Sequence, residues 1–255
     1  MAADTVICAS HGPTLPASKR RALIELVGGY GLILLVLWVP RTEQRPIYIA
    51  AIVWIVIATC ISFDGLRTMG LRVSRPLRSA WIVPATIALA ACAIGVASAL
   101  GTLSLPRTCT LFVQRYWGYA IWAAVQQFLL QDFVLLRLLR VLSAKHAAIA
   151  AALLFSLAHL PNPILTPLTL VWGLASCLLF LRYRNLYPLA VAHAILGITL
   201  AISVPGHVDH NMRVGLGYLT YRTSHHLSQN DHTVSTNVCA TAEASTLRSS
   251  LHARP

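Results

Sequence analysis

Apolar residues occur along the chain in long blocks that are separated by short polar segments. Most of these blocks approach the length of about 20 residues that a helix needs to cross a bilayer, although two are shorter. The seven blocks cover residues 22–39, 47–63, 80–103, 117–136, 147–160, 165–181 and 186–204. Because apolar residues do not alternate with polar ones, the pattern argues against a transmembrane β-barrel. It predicts an all-α polytopic membrane protein with about seven transmembrane helices.

Composition supports the same fold class. Charged residues make up 11% of the chain and hydrophobic residues 56%. A soluble domain has roughly 25% charged residues, since its surface must be largely polar. We therefore expect a multi-pass integral protein of the cell membrane, in contact with membrane lipid.

The net charge of +12 comes from Lys and Arg residues in the loops between the blocks. Twelve of them lie in alternate loops and four in the remaining loops, which follows the positive-inside rule. This distribution predicts a cytoplasmic N-terminus and an external C-terminus, and it excludes a nucleic-acid-binding surface. The richer loops contain Lys19, Arg20, Arg21, Arg67, Arg72, Arg75, Arg78, Arg137, Arg140, Lys145, Arg182 and Arg184.

The predicted organisation is one membrane domain with two tails. Residues 1–21 form a polar N-terminal tail, and 22–116 hold three N-terminal spans with their loops. Residues 117–204 form the membrane domain that carries the candidate site. Residues 205–255 form a polar, partly disordered C-terminal tail, whose first part is expected to fold back on the helices.

The first span is interpreted as an uncleaved anchor because no small-residue cleavage pattern follows it. The cysteines show no disulfide or zinc spacing and are expected to be small packing residues. They are Cys8, Cys60, Cys92, Cys109, Cys177 and Cys239.

Polar side chains inside predicted spans are the candidates for function, because burying them in a membrane costs free energy. One block contains Gln126, Gln127 and Gln131, followed by Asp132. Later blocks contain single histidines, His159 in Phe-Ser-Leu-Ala-His and His193 in Ala-Val-Ala-His.

The order and spacing of these residues resemble the CPBP family, which includes type II CAAX prenyl endopeptidases and bacteriocin-processing proteins. Phe155 and His159 match the family's Phe-xxx-His motif, and His193 matches the start of its His-xxx-Asn motif. Gly173 and Leu186-Tyr187-Pro188 match the segment that connects them. The resemblance covers residues 117–200 and implies that the last four spans form a CPBP-like bundle.

The chain departs from the family at four positions. Gln126 and Gln127 stand where the family has two glutamates, Gln131 where it has arginine, and Gly197 where it has asparagine. The resemblance implies that a glutamate and a histidine activate water while the last histidine and asparagine stabilise the oxyanion. Glutamine keeps the shape of glutamate but cannot accept a proton near neutral pH. A buried ion network is thus replaced by a neutral hydrogen-bonded one.

Other ionisable residues are weaker candidates. Asp132 lies about 120° from Gln126 and about 140° from Gln127 around an α-helix, so it is expected to face another helix or the interface. Glu25 is expected to pair at the interface with the basic residues before it. The histidines of the C-terminal tail fit no standard metal site. They are His207, His210, His225, His226 and His232.

The leading function is a CPBP-like intramembrane endopeptidase, of reduced or lost activity, with Gln126, Gln127, His159 and His193 around one cavity. Its partner would be a membrane-embedded or prenylated peptide, and no cofactor or metal is expected. A second hypothesis is a non-catalytic protein that binds a hydrophobic peptide or lipid tail in the same cavity. A small transporter has little support, since the two halves show no matching broken spans.

Overall fold

The computed structural model of the protein describes residues 17–72 and 76–221. These residues form helices and connecting loops, and no β-strand occurs among them. The α-helices are α1 (Ala17–Trp38), α2 (Arg41–Ile61), α3 (Ile82–Ala99), α4 (Cys109–Phe128), α5 (Leu136–Leu139), α6 (Ala144–Leu157), α7 (Leu165–Tyr183), α8 (Tyr187–Ser203) and α9 (Gly206–Asp209). The prediction of an all-α protein is confirmed.

Each of the seven predicted spans corresponds to a helix. Five helical segments of the described residues are long and apolar enough to cross a membrane. They are Ala17–Trp38, Arg41–Ile61, Pro76–Ala99, Cys109–Leu139 and Leu165–Tyr183. Helices α6 and α8 are apolar but shorter, with 14 and 17 residues. The all-helical fold is that of a polytopic membrane protein, and the described residues contain five candidate membrane spans and two shorter apolar helices.

The outer surfaces of these helices are apolar. Val27 of α1 is 69% exposed, Leu89 of α3 is 59% exposed and Val171 of α7 is 69% exposed. In water such contiguous apolar exposure would drive association, whereas in a bilayer these side chains contact lipid. The exposed residues thus agree with a membrane location.

The longest span is interrupted by a π-helix. Helix α4 begins at Thr108, whose side chain accepts a hydrogen bond from the Leu111 amide, and continues through the π-helix Leu129–Leu135 into α5. Because π-helical turns shift the register of side chains, they often occur at functional sites. The π-helix lies in the protein core, where Leu130, Phe133 and Leu135 are almost fully buried.

Helix pairing places the candidate residues. Helix α1 packs against α2, α6 packs along α7, and α8 packs against both α3 and α4. The contact between α4 and α8 places Gln126 and His193 on neighbouring helices. Near the end of α6, the Phe155 ring lies against the His193 ring of α8. Gly173 allows the close approach of α6 and α7, since a Cβ there would lie 3.3 Å from the Cα of Ala152.

The segment after α8 folds back on the membrane helices. The side-chain amide of Asn162 donates hydrogen bonds to the Asp209 carbonyl (2.8 Å) and the Arg213 carbonyl (3.1 Å). The Gly215 amide donates to the Leu160 carbonyl at 2.7 Å. Gly215 has a positive φ of 57° and lies against the backbone of Leu37, where a side chain would not fit. The expected fold-back of this segment is confirmed.

Glu25 has a more central role than the predicted interfacial pair. It binds Arg21 (2.8 Å) as expected, but it also binds Arg137 of α5 (3.1 Å) and the Ser62 hydroxyl (2.7 Å). Both Glu25 and Arg137 are buried. The predicted ion pair between Glu25 and a preceding basic residue is confirmed. The carboxylate is also buried, because the turn after α2 and the end of the long span meet around it.

Asp132 faces another helix, as predicted. It lies in the π-helix and lines a small cavity together with Thr59 of α2 and Arg137. Neither carboxylate oxygen of Asp132 has a hydrogen-bond partner within residues 17–72 and 76–221.

Four cysteines, Cys60, Cys92, Cys109 and Cys177, are free thiols. The remaining predictions for the tails, including Cys8, Cys239, His225, His226 and His232, fall outside the described residues.

Candidate functional site

A large cavity of about 1660 Å³ lies among the helices. Most of its lining is apolar and aromatic, and it comes from helices α1–α4, the π-helix, α6–α8 and the segment after α8. A few polar groups converge on it, which is the usual composition of a site for a hydrophobic ligand. The polar side chains of the lining include Tyr119, Gln126, His159, Trp172 and His193.

The hydrogen bonding of His159 determines which ring nitrogen can accept a proton. His159 follows the end of α6 and is buried, and its Nδ1 lies 2.7 Å from the Phe155 carbonyl oxygen. Because a carbonyl oxygen only accepts hydrogen bonds, Nδ1 carries the hydrogen in the neutral ring. The Nε2 atom is then the acceptor, as a general base requires.

His193 approaches the same place from α8. The Phe155 ring lies 4.8 Å from the His159 ring and 5.9 Å from the His193 ring, measured between centroids. Trp172 of α7 lies 6.1 Å from the His193 ring. Both the Nδ1 atom of His193 and the Nε1 atom of Trp172 are buried without a hydrogen-bond partner in the described part of the chain. These unpaired atoms could bind a polar group of a ligand.

The two glutamines of the first motif have different surroundings. Gln126 is half-buried and lines the cavity with both histidines. Gln127 is fully buried and does not line it. Instead its side-chain oxygen accepts a hydrogen bond from Gln131 at 3.2 Å, and Gln131 also donates to the Ser176 hydroxyl at 3.1 Å. Three of the four predicted site residues, Gln126, His159 and His193, thus line the cavity. Gln127 faces a different direction from Gln126, because successive side chains on a helix are rotated by about 100°, and it is linked through Gln131 to Ser176 of α7.

The position of the family asparagine, Gly197, is occupied in space by another residue. A Cβ atom at Gly197 would overlap the hydroxyl group of Tyr119, which reaches α8 from α4. Sequence reasoning missed Tyr119. Its spacing could have identified it, because Tyr119 precedes Gln126 by seven residues and therefore lies on the same helix face, about two turns away.

Among the described residues, Asp209 of α9 is the one acidic residue of the cavity lining. It was also missed, since it lies in the segment predicted to be a tail. One Asp209 oxygen accepts a hydrogen bond from the Asn211 amide at 2.9 Å, and burial raises the pKa of its carboxyl. Within the described residues no group of three or more His, Cys, Asp or Glu side chains is arranged to hold a metal ion.

Residues 109–199 match the family model of type II CAAX prenyl endopeptidase Rce1-like proteins. This segment contains α4, Gln126, Gln127 and both histidines, so the resemblance recognised from the motifs is confirmed over these residues. No curated protein and no solved structure matches the chain. The similarity therefore supports a CAAX-protease-related membrane protein, and the catalytic roles of individual residues remain predictions.

Proposed function

We propose that this protein is an intramembrane endopeptidase of the cell membrane, related to type II CAAX prenyl endopeptidases, in which His159 replaces glutamate as the general base. The observation that carries the proposal is the hydrogen bond from His159 Nδ1 to the Phe155 carbonyl. It leaves Nε2 as the proton acceptor on a side chain that lines the cavity. The substrate class is a hydrophobic or prenylated peptide, because the lining is largely apolar.

The proposed reaction is peptide hydrolysis. Water attacks the carbonyl carbon, a C–O bond forms, and the proton of the water moves to His159 Nε2. The π electrons of the carbonyl move to its oxygen, which becomes an oxyanion near His193. When the intermediate collapses, the C–N bond breaks and His159 returns its proton to the amine that leaves. No oxidant, reductant or further reactant is needed.

The neutral glutamines imply slow turnover. Gln126 can hydrogen-bond to water or to the peptide but cannot accept the proton. General-base assistance is typically worth about 100- to 10,000-fold, and a histidine buried without a neighbouring anion provides less driving force than a carboxylate pair. We therefore expect this enzyme to have a lower activity than a relative that has both glutamates.

A second candidate function is supported by the Gln127, Gln131 and Ser176 cluster. This cluster is buried and uncharged, and Gln131 joins its members by hydrogen bonds to Gln127 and Ser176, so no charged group takes part in it. A protein with this arrangement could hold a hydrophobic peptide or a lipid tail without cleaving it.

The experiment is a cleavage assay in lipid vesicles. Prenylated and hydrophobic peptides are incubated with wild type, His159→Ala and the control His146→Ala, since His146 is exposed and outside the cavity. We expect cleavage by wild type and the control, and a loss of about 100- to 10,000-fold for His159→Ala. Equal cleavage by all three proteins would contradict the role of His159. Tight binding by wild type without cleavage would favour the second candidate.

A further inference from the structure

Tyr119 places a hydroxyl group at an unusual position against α8. The residue lies on α4 and lines the cavity, and its hydroxyl occupies the space that a side chain at residue 197 would need. Only glycine leaves room for it, so Tyr119 and Gly197 form a matched pair of side chain and gap.

The hydroxyl group is close to the histidines. His193 and Gly197 are separated by four residues on α8, and side chains with this spacing have Cβ atoms about 5–6 Å apart on one helix face. The Tyr119 hydroxyl takes the Gly197 Cβ position and therefore lies roughly one helical turn from the start of the His193 side chain. The cavity that both residues line also contains His159.

The hydroxyl hydrogen is free to bind a ligand. Tyr119 makes no hydrogen bond within residues 17–72 and 76–221, although its ring is partly buried. Tyr30 provides a contrast, because its hydroxyl lines the same cavity but donates to the Leu154 carbonyl at 2.8 Å. A phenol placed in apolar surroundings without a partner is a strong donor to any carbonyl oxygen that comes close.

We propose that the Tyr119 hydroxyl donates a hydrogen bond to the carbonyl oxygen of a peptide bound in the cavity, and to the oxyanion that this oxygen becomes during hydrolysis. The inference rests on the proposed function for its catalytic part, and Tyr119 is then a catalytic residue. A donor fixed in a low-dielectric cavity stabilises developing negative charge without reorganisation. Gly197 of α8 has no side chain that could donate this hydrogen bond, and the geometry assigns the donor role to Tyr119 of α4.

The first test compares a tyrosine of the cavity with a tyrosine outside it. Tyr119→Phe removes only the free hydroxyl, whereas Tyr187→Phe removes a hydroxyl that is outside the cavity lining and donates to the Leu71 carbonyl at 3.0 Å. We expect Tyr119→Phe to lower kcat about 100- to 1,000-fold with little change in KM, because the ring stays in place. Tyr187→Phe should retain a kcat close to wild type. Equal kcat values for Tyr119→Phe and wild type would overturn the inference.

The second test exchanges the donor between helices. Tyr119→Ala empties the space beside Gly197, and adding Gly197→Asn provides an amide donor from α8. The double variant should be at least about tenfold faster than Tyr119→Ala alone, since a tenfold change needs only about 1.4 kcal/mol. A double variant that is folded but no faster would count against a donor at this position.

A binding measurement separates this inference from the proposed function. If wild type binds prenylated peptide without cleaving it, the proposed function fails, and the donor is tested by affinity alone. Tyr119→Phe should then weaken binding of the prenylated peptide about two- to tenfold, and leave unchanged the binding of a prenyl hydrocarbon, which has no hydrogen-bond acceptor. Unchanged affinity for both probes would overturn the inference.

Discussion

The long span of α4, the π-helix and α5 carries two polar regions with different chemistry. The ionic region is centred on the Glu25 carboxylate, whose oxygens bind Arg21, Ser62 and Arg137. The cavity region contains Gln126 with the two histidines, and no ion pair occurs there among the described residues. The first region joins α1, the turn after α2 and α5, and the second joins α4, α6 and α8.

The comparison of the two regions shows that a buried polar group can either stabilise the fold or remain available to a ligand. A carboxylate buried near the end of a span is tolerated because cations and hydroxyls surround it, and such a group is committed to structure. In the cavity region, His193 Nδ1 and Trp172 Nε1 have no partner among the described residues, and in the ionic region the Nη2 atom of Arg137 has none either. The regions differ because His193 and Trp172 line the large cavity, where a ligand can satisfy their unpaired atoms, whereas Arg137 does not line it.

Breaking the ionic region should have the largest effect on stability. Glu25→Ala leaves the buried Arg137 guanidinium without its carboxylate, which we expect to cost about 3–5 kcal/mol of unfolding free energy. The control Asp64→Ala removes a half-exposed pair with Arg140 and should cost about 1 kcal/mol or less. Denaturant unfolding in detergent micelles measures both. Similar losses for the two variants would show that the Glu25 cluster is no more structural than the exposed pair.

Introducing a carboxylate into the cavity region tests whether the site lacks a strong general base. Gln126→Glu places an ionisable group in the cavity that both histidines line, and we expect turnover to rise about 100-fold because a carboxylate can act as a general base there. Gln127→Glu is the matched control, since this side chain contacts Gln131 outside the cavity and should give no gain. Turnover is measured with the vesicle assay described above. A rise in turnover for Gln127→Glu alone would show that Gln127, and not only Gln126, faces the cavity.

The packing that holds the histidines can be loosened at Gly173. A Cβ there would lie 3.2 Å from the Phe155 ring, so Gly173→Val should cost about 1–3 kcal/mol of unfolding free energy by overpacking. It should also reduce ligand binding, because Phe155 contacts both histidines. Gly118→Val is the control, because no atom of residues 17–72 and 76–221 lies within 4 Å of a Cβ added there. Equal stability of these variants would contradict the close α6–α7 contact.

The neutral hydrogen bonds should contribute least. Gln131→Leu removes a bond within the long span, to Gln127, and a bond between helices, to Ser176. We expect a loss of roughly 1 kcal/mol, because hydrogen bonds between membrane helices average about 0.6 kcal/mol and a bond within one span adds a similar small amount. A double-mutant cycle with Ser176→Ala isolates the Gln131–Ser176 bond. A coupling energy as large as the loss in Glu25→Ala would remove the distinction between the neutral and ionic regions.

Much of this architecture follows from the sequence. The apolar blocks predict the helices because a segment in lipid must satisfy its own backbone hydrogen bonds. The spacing of Phe155, His159 and His193 resembles the CPBP family over residues 117–200, and the Rce1-like family model matches residues 109–199. These features are local in the chain, so composition and spacing are sufficient to recognise them.

Other features depend on contacts between distant parts of the chain. Arg137 pairs with Glu25 across 112 positions, and no local pattern specifies that partner. The assignment of Gln126 to the cavity and Gln127 to α7 depends on the rotation of α4, which helix packing sets. The Tyr119 hydroxyl fills the gap at Gly197 only because α4 lies against α8. The sequence determined which groups are present in the membrane, and the tertiary structure decided which of them meet, because burial and distance are properties of the packed helices.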